Sequence, residues 1–242
     1  MTKELEILMD IARSASKIIT DDFVVEAKGN KGDLVTTYDF AVEKHIIAAL
    51  NAQFPDFDIV SEELNTNNAL TENCFTIDPI DGTINFAHGL PCWVIQIACI
   101  KNGKPHCAVV YAPRFDEMYA GDESGVYLNG KKVSVATTPY KDNVFVIEGF
   151  DKVDILKEVH KFIPHSRVQG TAGLNFAQVA AGKAGCAVFN NNTLWDYTPG
   201  LMLVQFAGGC VIDQKDMHIA ANNKETLEIV KNCVLKAKNN NN

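Results

Sequence analysis

The sequence predicts an α/β protein, a two-part sandwich in which amphipathic helices pack on a sheet that is largely antiparallel in the first half. Three observations carry that expectation. Near the N-terminus, Leu5, Ile7, Leu8, Ile11, Ala12, Ala15, Ile18 and Ile19 recur at helical spacing. In the middle, β-rich runs are joined by Asn-Gly pairs, the strongest short-range hairpin signal. In the second half, short strand-like runs are interspersed with apolar helical ones.

The elements follow in order. Residues 2–22 read as a helix that covers the core. Residues 27–33, A-K-G-N-K-G-D, form a polar, glycine-bearing loop. L-V-T-T-Y-D then leads into a second helix over about 40–53, with Ala41, Val42, Ile46, Ile47 and Leu50 on one side. Asp39 sits near its start, where an acid suits the helix dipole, and Pro55 ends it. Ile59 and Val60 read as a short strand, followed at once by Ser61-Glu62-Glu63 and a polar loop over 65–73. Residues 92–100 and 106–112 form a hairpin through K-N-G-K, and 118–120 and 125–128 continue the sheet to a turn at Asn129-Gly130.

Beyond residue 140, strands are expected at 144–148, 186–189 and 210–212, and helices at 153–162, 174–181, 195–207 and 224–235. Pro199 is tolerated in the first turns of its helix, and Gly208 and Gly209 stop it. The Asn-rich tail 238–242 is expected to be disordered. There is no internal repeat or separating linker, so 1–242 reads as a single domain with subdomains of about 1–140 and 141–237.

Composition narrows the function. The 242 residues are 47% hydrophobic, enough for a sizeable core. The formal charge is −8, with no basic stretch able to track a nucleic-acid backbone. An acidic protein that handles an anionic substrate needs metal ions to reverse the sign locally. The seven cysteines are scattered, with no C-x-x-C pair, and read as reduced core thiols of a cytoplasmic protein. No apolar run is long enough to span a membrane, and no signal-peptide pattern opens the chain.

The most informative stretch is 74–91, C-F-T-I-D-P-I-D-G-T-I-N-F-A-H-G-L-P. A short apolar run, Phe75 to Ile77, reads as the end of a buried strand. Asp78 and Asp81 follow, with Pro79 disfavouring a helical Asp78 and Gly82 permitting a sharp turn. Thr83 is a good N-cap for a helix starting near Ile84. Both carboxylates and the carbonyls between them can face one point, which suits a hard cation, Mg²⁺ above all. An ordinary Asx-rich turn is the plain alternative. A covalent aspartyl mechanism is disfavoured, because Pro79 stands where its nucleophilic Asp would be.

D-P-I-D-G-T-I-N-F resembles the signature of the inositol monophosphatase family of Mg²⁺-dependent, lithium-sensitive phosphatases. Further blocks appear in the family's order: D-L-V-T-T-Y-D at 33–39, S-E-E at 61–63, G-T-A at 170–172 and W-D-Y-T-P-G at 195–200. The resemblance implies a layered αβαβα sandwich of the inositol monophosphatase/fructose bisphosphatase type, with a largely antiparallel N-terminal sheet and a mixed C-terminal one. It also implies a homodimer. Its metal ligands map onto Glu62, Asp78, the Ile80 carbonyl, Asp81 and Asp196, holding two to three Mg²⁺. Four such carboxylates could not all stay ionised close together without cations.

The same pattern makes Thr83 the hydrogen-bond partner of the attacking water, Glu62 the acceptor of its proton, and Asp39 the group that orients Thr83. Bland alternatives remain open: Thr83 and Asp39 as helix caps, Glu62 and Glu63 as a solvated pair, Asp196 as a helix-terminal acid. Glu63 is assigned a supporting role. Backbone N–H groups of Gly82 and Thr83 would bind the phosphate, and Asp81, Gly170, Thr171, Ala172 and Asp196 would also contact the substrate.

One position departs. Inositol-specific members carry a Glu seven residues before the Asp that maps onto Asp196, and here that residue is Phe189. A phenyl ring cannot accept hydrogen bonds from sugar hydroxyls. Asn190, Asn191 or Asn192 could serve after a small register shift, while His88 and Trp93 read as a loop histidine and a core aromatic. The expected activity is hydrolysis of a small sugar or polyol phosphate monoester, inositol 1-phosphate by default. A fructose bisphosphatase, an adenosine 3′,5′-bisphosphate phosphatase and a silent metal-binding regulator are the alternatives.

Overall fold

The computed structural model describes residues 1–20, 24–28, 33–66 and 69–240. Helix α1 (Lys3–Ser16) is capped by Thr2, whose hydroxyl accepts from Leu5 N. It ends earlier than the expected residue 22. Ser14 and Ser16 turn their hydroxyls back to the carbonyls of Ile11 and Arg13, both at 2.9 Å, offering the backbone local alternatives near the helix end. Strands β1 (Val25–Lys28) and β2 (Asp33–Thr36) pair antiparallel. The expected loop over 27–33 is therefore strand at both ends, and its centre lies outside the described residues.

Helix α2 (Thr37–Gln53) starts three residues before the expected 40. Thr36 caps it, and Asp39 at the third helical position reaches back to Thr36 N, completing a capping box. Strand β3 (Asp58–Ser61) lies parallel to β4 (Cys74–Asp81). The latter runs through the acidic motif to Asp81, with its pairing interrupted between Asp78 and Asp81. Gly82, at φ 91°, caps the short α3 (Thr83–Ala87). Thr83 is thus the first helical residue and not the cap. The left-handed backbone there favours glycine, and a Cβ would meet the Cys92 carbonyl at 2.9 Å.

Strands β5 (Val94–Lys101), β6 (Lys104–Ala112), β7 (Glu117–Asp122), β8 (Gly125–Leu128) and β9 (Lys131–Val133) complete a seven-stranded sheet, antiparallel apart from β3–β4. Both Asn-Gly turns adopt positive φ at each residue, 54° and 69° at 102–103 and 49° and 78° at 129–130. The second sheet is mixed. Its order is β11 (His165–Val168), β10 (Val144–Gly149), β12 (Cys186–Asn190), β14 (Met217–Ala221), β13 (Cys210–Gln214). Strands β11, β10 and β12 pair in parallel, and β14 runs antiparallel to both of its neighbours, β12 and β13. Strands β9 (K-K-V) and β11 (H-S-R-V) are short and polar and carry no distinct β signal, and β14 was not expected although it is as long as β12 and β13.

Helices α4 (Lys152–Val159), α5 (Ala172–Ala180), α6 (Leu194–Phe206) and α7 (Lys224–Asn240) fill the remaining layers. Helix α7 continues through Asn240, so residues 238–240 of the tail are helical rather than disordered, and 241–242 lie outside the described residues. Side chains alternate across each strand. On the large sheet, Phe75, Ile77, Ile95 and Ile97 face α1 and α2, while Cys74, Val94, Ala98 and Val110 face α5 and α6. The small sheet turns Val146 and Ala187 to α5 and α6, and Phe145 and Val188 to α4 and α7. The result is a five-layer αβαβα sandwich.

The seven cysteines are free, five of them buried, with Cys92 and Cys210 half-buried rather than in the core. Among the described residues no helix is long and apolar enough to cross a membrane.

Candidate active site

Helices α5 and α6 lie between the two sheets, and their N-termini meet the C-terminal end of β4. Oxygens of Asp78, Asp81 and Asp196 come within 4.8 Å of one another, although Asp196 is 115 residues beyond Asp81 in the chain. Asp78 is fully buried, and its Oδ2 has no hydrogen-bond partner. Its Oδ1 accepts from Ile80 N at 3.0 Å, which folds the D-P-I-D backbone around the carboxylate.

Asp81 is held by four donors. Its Oδ2 accepts from Thr171 Oγ1 at 2.6 Å, Gly173 N at 2.6 Å and Gln96 Nε2 at 3.0 Å, and its Oδ1 from Ala172 N at 3.3 Å. Gln96 also donates to the Asp196 carbonyl at 3.2 Å, tying the two acidic segments together. Gly173 is required there, since a Cβ would sit 2.2 Å from Gln96. Thr193 donates its hydroxyl to Asp196.

Glu62 lies outside the 4.8 Å cluster but lines the same cleft as Gly82, Thr83, Gly170 and Asp196, a space of about 470 Å³. Burial pushes the Asp78 carboxyl well above the usual range, and the charges of Glu62, Asp81 and Asp196 add to it. Burial, then Asp196, pushes Asp81 up to about 8. Crowded acids with an orphaned buried oxygen and an all-oxygen donor set fit a hard divalent cation.

The Thr83 hydroxyl lies between two acceptors, the Ile80 carbonyl at 3.0 Å and Asp39 Oδ1 at 3.3 Å. Asp39 is fully buried, and burial raises its carboxyl against the pull of Thr36, whose N–H and hydroxyl both donate to Oδ2 at 2.6 Å.

Of the G-T-A residues, Gly170 lines the cleft, whereas Thr171 and Ala172 turn to Asp81. Phe189 is buried against Tyr197 and His218, with ring centroids 6.4 and 6.2 Å away. Asn190 is buried too, and Asn191 reaches the cleft. His88 sits on an exposed turn, and Trp93 is buried edge-on to Phe86 at 5.1 Å. Sequence reasoning missed Gln96 and Glu43. Gln96 could have been noticed as the single polar residue in the apolar run 92–100, and Glu43 as an acid within the apolar stripe of α2.

Comparison with known proteins bears on the family and the fold. The sequence model of the inositol monophosphatase family matches residues 1–240. A Thermotoga maritima fructose-1,6-bisphosphatase/inositol-1-monophosphatase is 35% identical over 194 residues, covering 78% of this chain and 75% of that one. A Pseudomonas aeruginosa Nus factor SuhB is 33% identical over 241 residues, covering 90% and 88%. The solved structure of a Thermotoga maritima IMPase superposes with a TM-score of 0.84 at 29% identity, covering 97% of each chain. With one site assembled from segments scattered along its length, and a family match from end to end, the chain belongs to the inositol monophosphatase family of phosphatases.

Proposed function

We propose that the protein hydrolyses a small sugar or polyol phosphate monoester, inositol 1-phosphate by default, using two to three Mg²⁺. The observation that carries this reading is the cluster of Asp78, Asp81 and Asp196 within 4.8 Å of one another, beside a cleft that Asp196 and Glu62 line. Asp78, Asp81, Asp196, Glu62 and the Ile80 carbonyl are the groups that would hold the ions. When bound, such ions stabilise charge on the phosphoryl oxygens and activate water.

The chain's own residues supply the positioning on which phosphoryl transfer depends. Thr83 donates towards Asp39 and Ile80, so its oxygen lone pairs are left to accept a proton of the attacking water. Glu62, half-buried at the cleft wall, takes that water's other proton. The N–H groups of Gly82 and Thr83 hold the phosphate. Asn191 and Gly170 face the organic half, a neutral hydrogen-bonding wall suited to hydroxyls.

The reading includes a homodimer in the cytoplasm. Exposed Phe150, Val153 and Val168 beside the open edge of β11 support self-association, which light scattering tests. A substrate panel tests the activity: inositol 1-phosphate, fructose 1,6-bisphosphate and adenosine 3′,5′-bisphosphate, each with and without Mg²⁺. Release of phosphate from the first, dependent on Mg²⁺, is expected. Preference for fructose 1,6-bisphosphate would move the substrate to the one in the Thermotoga relative's name, and inertness towards all three would leave the regulatory alternative.

A further inference from the structure

Helix α2 buries two acids on the same face as Val42, Ile46 and Leu50: Asp39 and Glu43, one turn apart. An acid on an apolar stripe is costly unless hydrogen bonds satisfy it. Asp39 is explained by its bonds to Thr36 and Thr83. Glu43 touches neither, yet it is fully buried.

Its three donors come from one short segment. Glu43 Oε1 accepts from Ser61 Oγ at 2.5 Å and Leu64 N at 2.7 Å, and Oε2 from Glu63 N at 2.9 Å. Ser61 closes the same turn, accepting from Asn65 N through Oγ at 3.2 Å and donating its N–H to the Asn65 carbonyl at 2.9 Å. Glu62 stands in the middle of this clamped segment, between the Ser61 hydroxyl and the Glu63 and Leu64 N–H groups that Glu43 holds.

We propose that Glu43 is a positioning residue for Glu62, so that one face of α2 sets both proton-handling groups of the site, Asp39 acting on Thr83 and Glu43 on the turn that carries Glu62. The inference rests on the reading of Glu62 as a metal ligand. Two acids on one rigid helix fix the separation of Thr83 and Glu62 more tightly than two independent loops would. Groups that orient a ligand are worth roughly ten- to a hundredfold in metal affinity or activity.

The test is calorimetric titration of the full-length protein with MgCl₂ alone, with circular dichroism and melting as folding controls. Glu43→Gln keeps the size but puts an NH₂ against one of three donors, leaving that donor unpaired. Its Mg²⁺ affinity is expected to fall about ten- to a hundredfold, and that of Ser61→Ala, which loses one donor, by less. A role confined to holding the fold would lower melting and leave the Mg²⁺ isotherm unchanged. Affinities within twofold of wild type in both variants overturn the proposal, and if Glu43→Gln does not fold, Ser61→Ala decides alone. Glu62→Gln separates the two levels. An unchanged isotherm there removes the ligand reading itself, whereas a weakened one beside unchanged Glu43→Gln and Ser61→Ala removes only the role of Glu43.

Discussion

Asp81 caps a helix that begins 91 residues later: its carboxylate accepts Ala172 N at 3.3 Å and, one residue further on, Gly173 N at 2.6 Å. Thr171, the capping residue by position, makes no side-chain cap bond to its own helix and donates to Asp81 instead. The acid that serves as a candidate metal ligand therefore also joins β4 to α5, and its replacement has two separable consequences.

Asp81→Asn is expected to lower turnover by more than about a hundredfold, beyond the range for groups that only support a ligand. The asparagine oxygen can still accept from Thr171, Gly173 and Gln96, and the buried charge is gone. Metal-free melting at pH 8 should be unchanged or raised, as at other sites where function is held at the expense of stability. Melting and phosphate release on the same preparation check both halves.

Thr83→Ala removes the hydroxyl shared by Asp39 and Ile80 but leaves the backbone of α3, because Gly82 supplies the cap. Turnover should fall about a hundredfold, the low end of the range for a group that handles a reacting proton, with KM little changed. Thr83→Ser should restore most of the rate. A rate for Thr83→Ala equal to wild type would leave Thr83 without a part in the chemistry.

Burial raises the Asp78 carboxyl well above its ordinary range and pushes Asp81 up to about 8, so between the ordinary carboxylate range and about 8 the folded state binds more protons at Asp81 than the unfolded one, and Asp78 acts in the same direction. Stability of the metal-free protein is then greatest below the unfolded value and falls as pH rises through that window, by at most about 1.4 kcal/mol per pH unit for each group. Mg²⁺ binds the ionised form, so its stabilising effect should grow from pH 5 to pH 8. Melting curves with EDTA and with Mg²⁺ across that range check the sign.

Lithium at millimolar concentration is expected to inhibit by displacing one weakly held Mg²⁺. A titration of Li⁺ at several fixed Mg²⁺ concentrations reads it, and inhibition that does not respond to Mg²⁺ would point elsewhere.

The chain is proposed to unfold as one cooperative unit, because α5 and α6 pack their apolar faces on both sheets at once. Calorimetry of the metal-free protein should show a single transition. Two resolved transitions would divide the chain near residue 140.

The hairpins and the long helices were legible because their signals are local. Asn102-Gly103 and Asn129-Gly130 can adopt positive φ cheaply, and Leu5, Leu8 and Ala12 repeat at the helical period. The acidic motif was legible for the same reason: Pro79 and Gly82 restrict their own backbones. Boundaries failed where a competing bond decided them. Asp39 completing a box with Thr36 moved the start of α2, and the left-handed Gly82 took the cap from Thr83.

By itself, the order of residues determined the sheet-and-helix class, the carboxylates available and the family they resemble. Tertiary structure alone decided that Asp81 caps α5, that Gln96 ties it to Asp196, that Phe189 turns into the core, and that Glu43 holds the turn bearing Glu62. The reason is physical. A buried carboxylate needs donors, and no periodicity along a chain records which distant N–H groups will reach it.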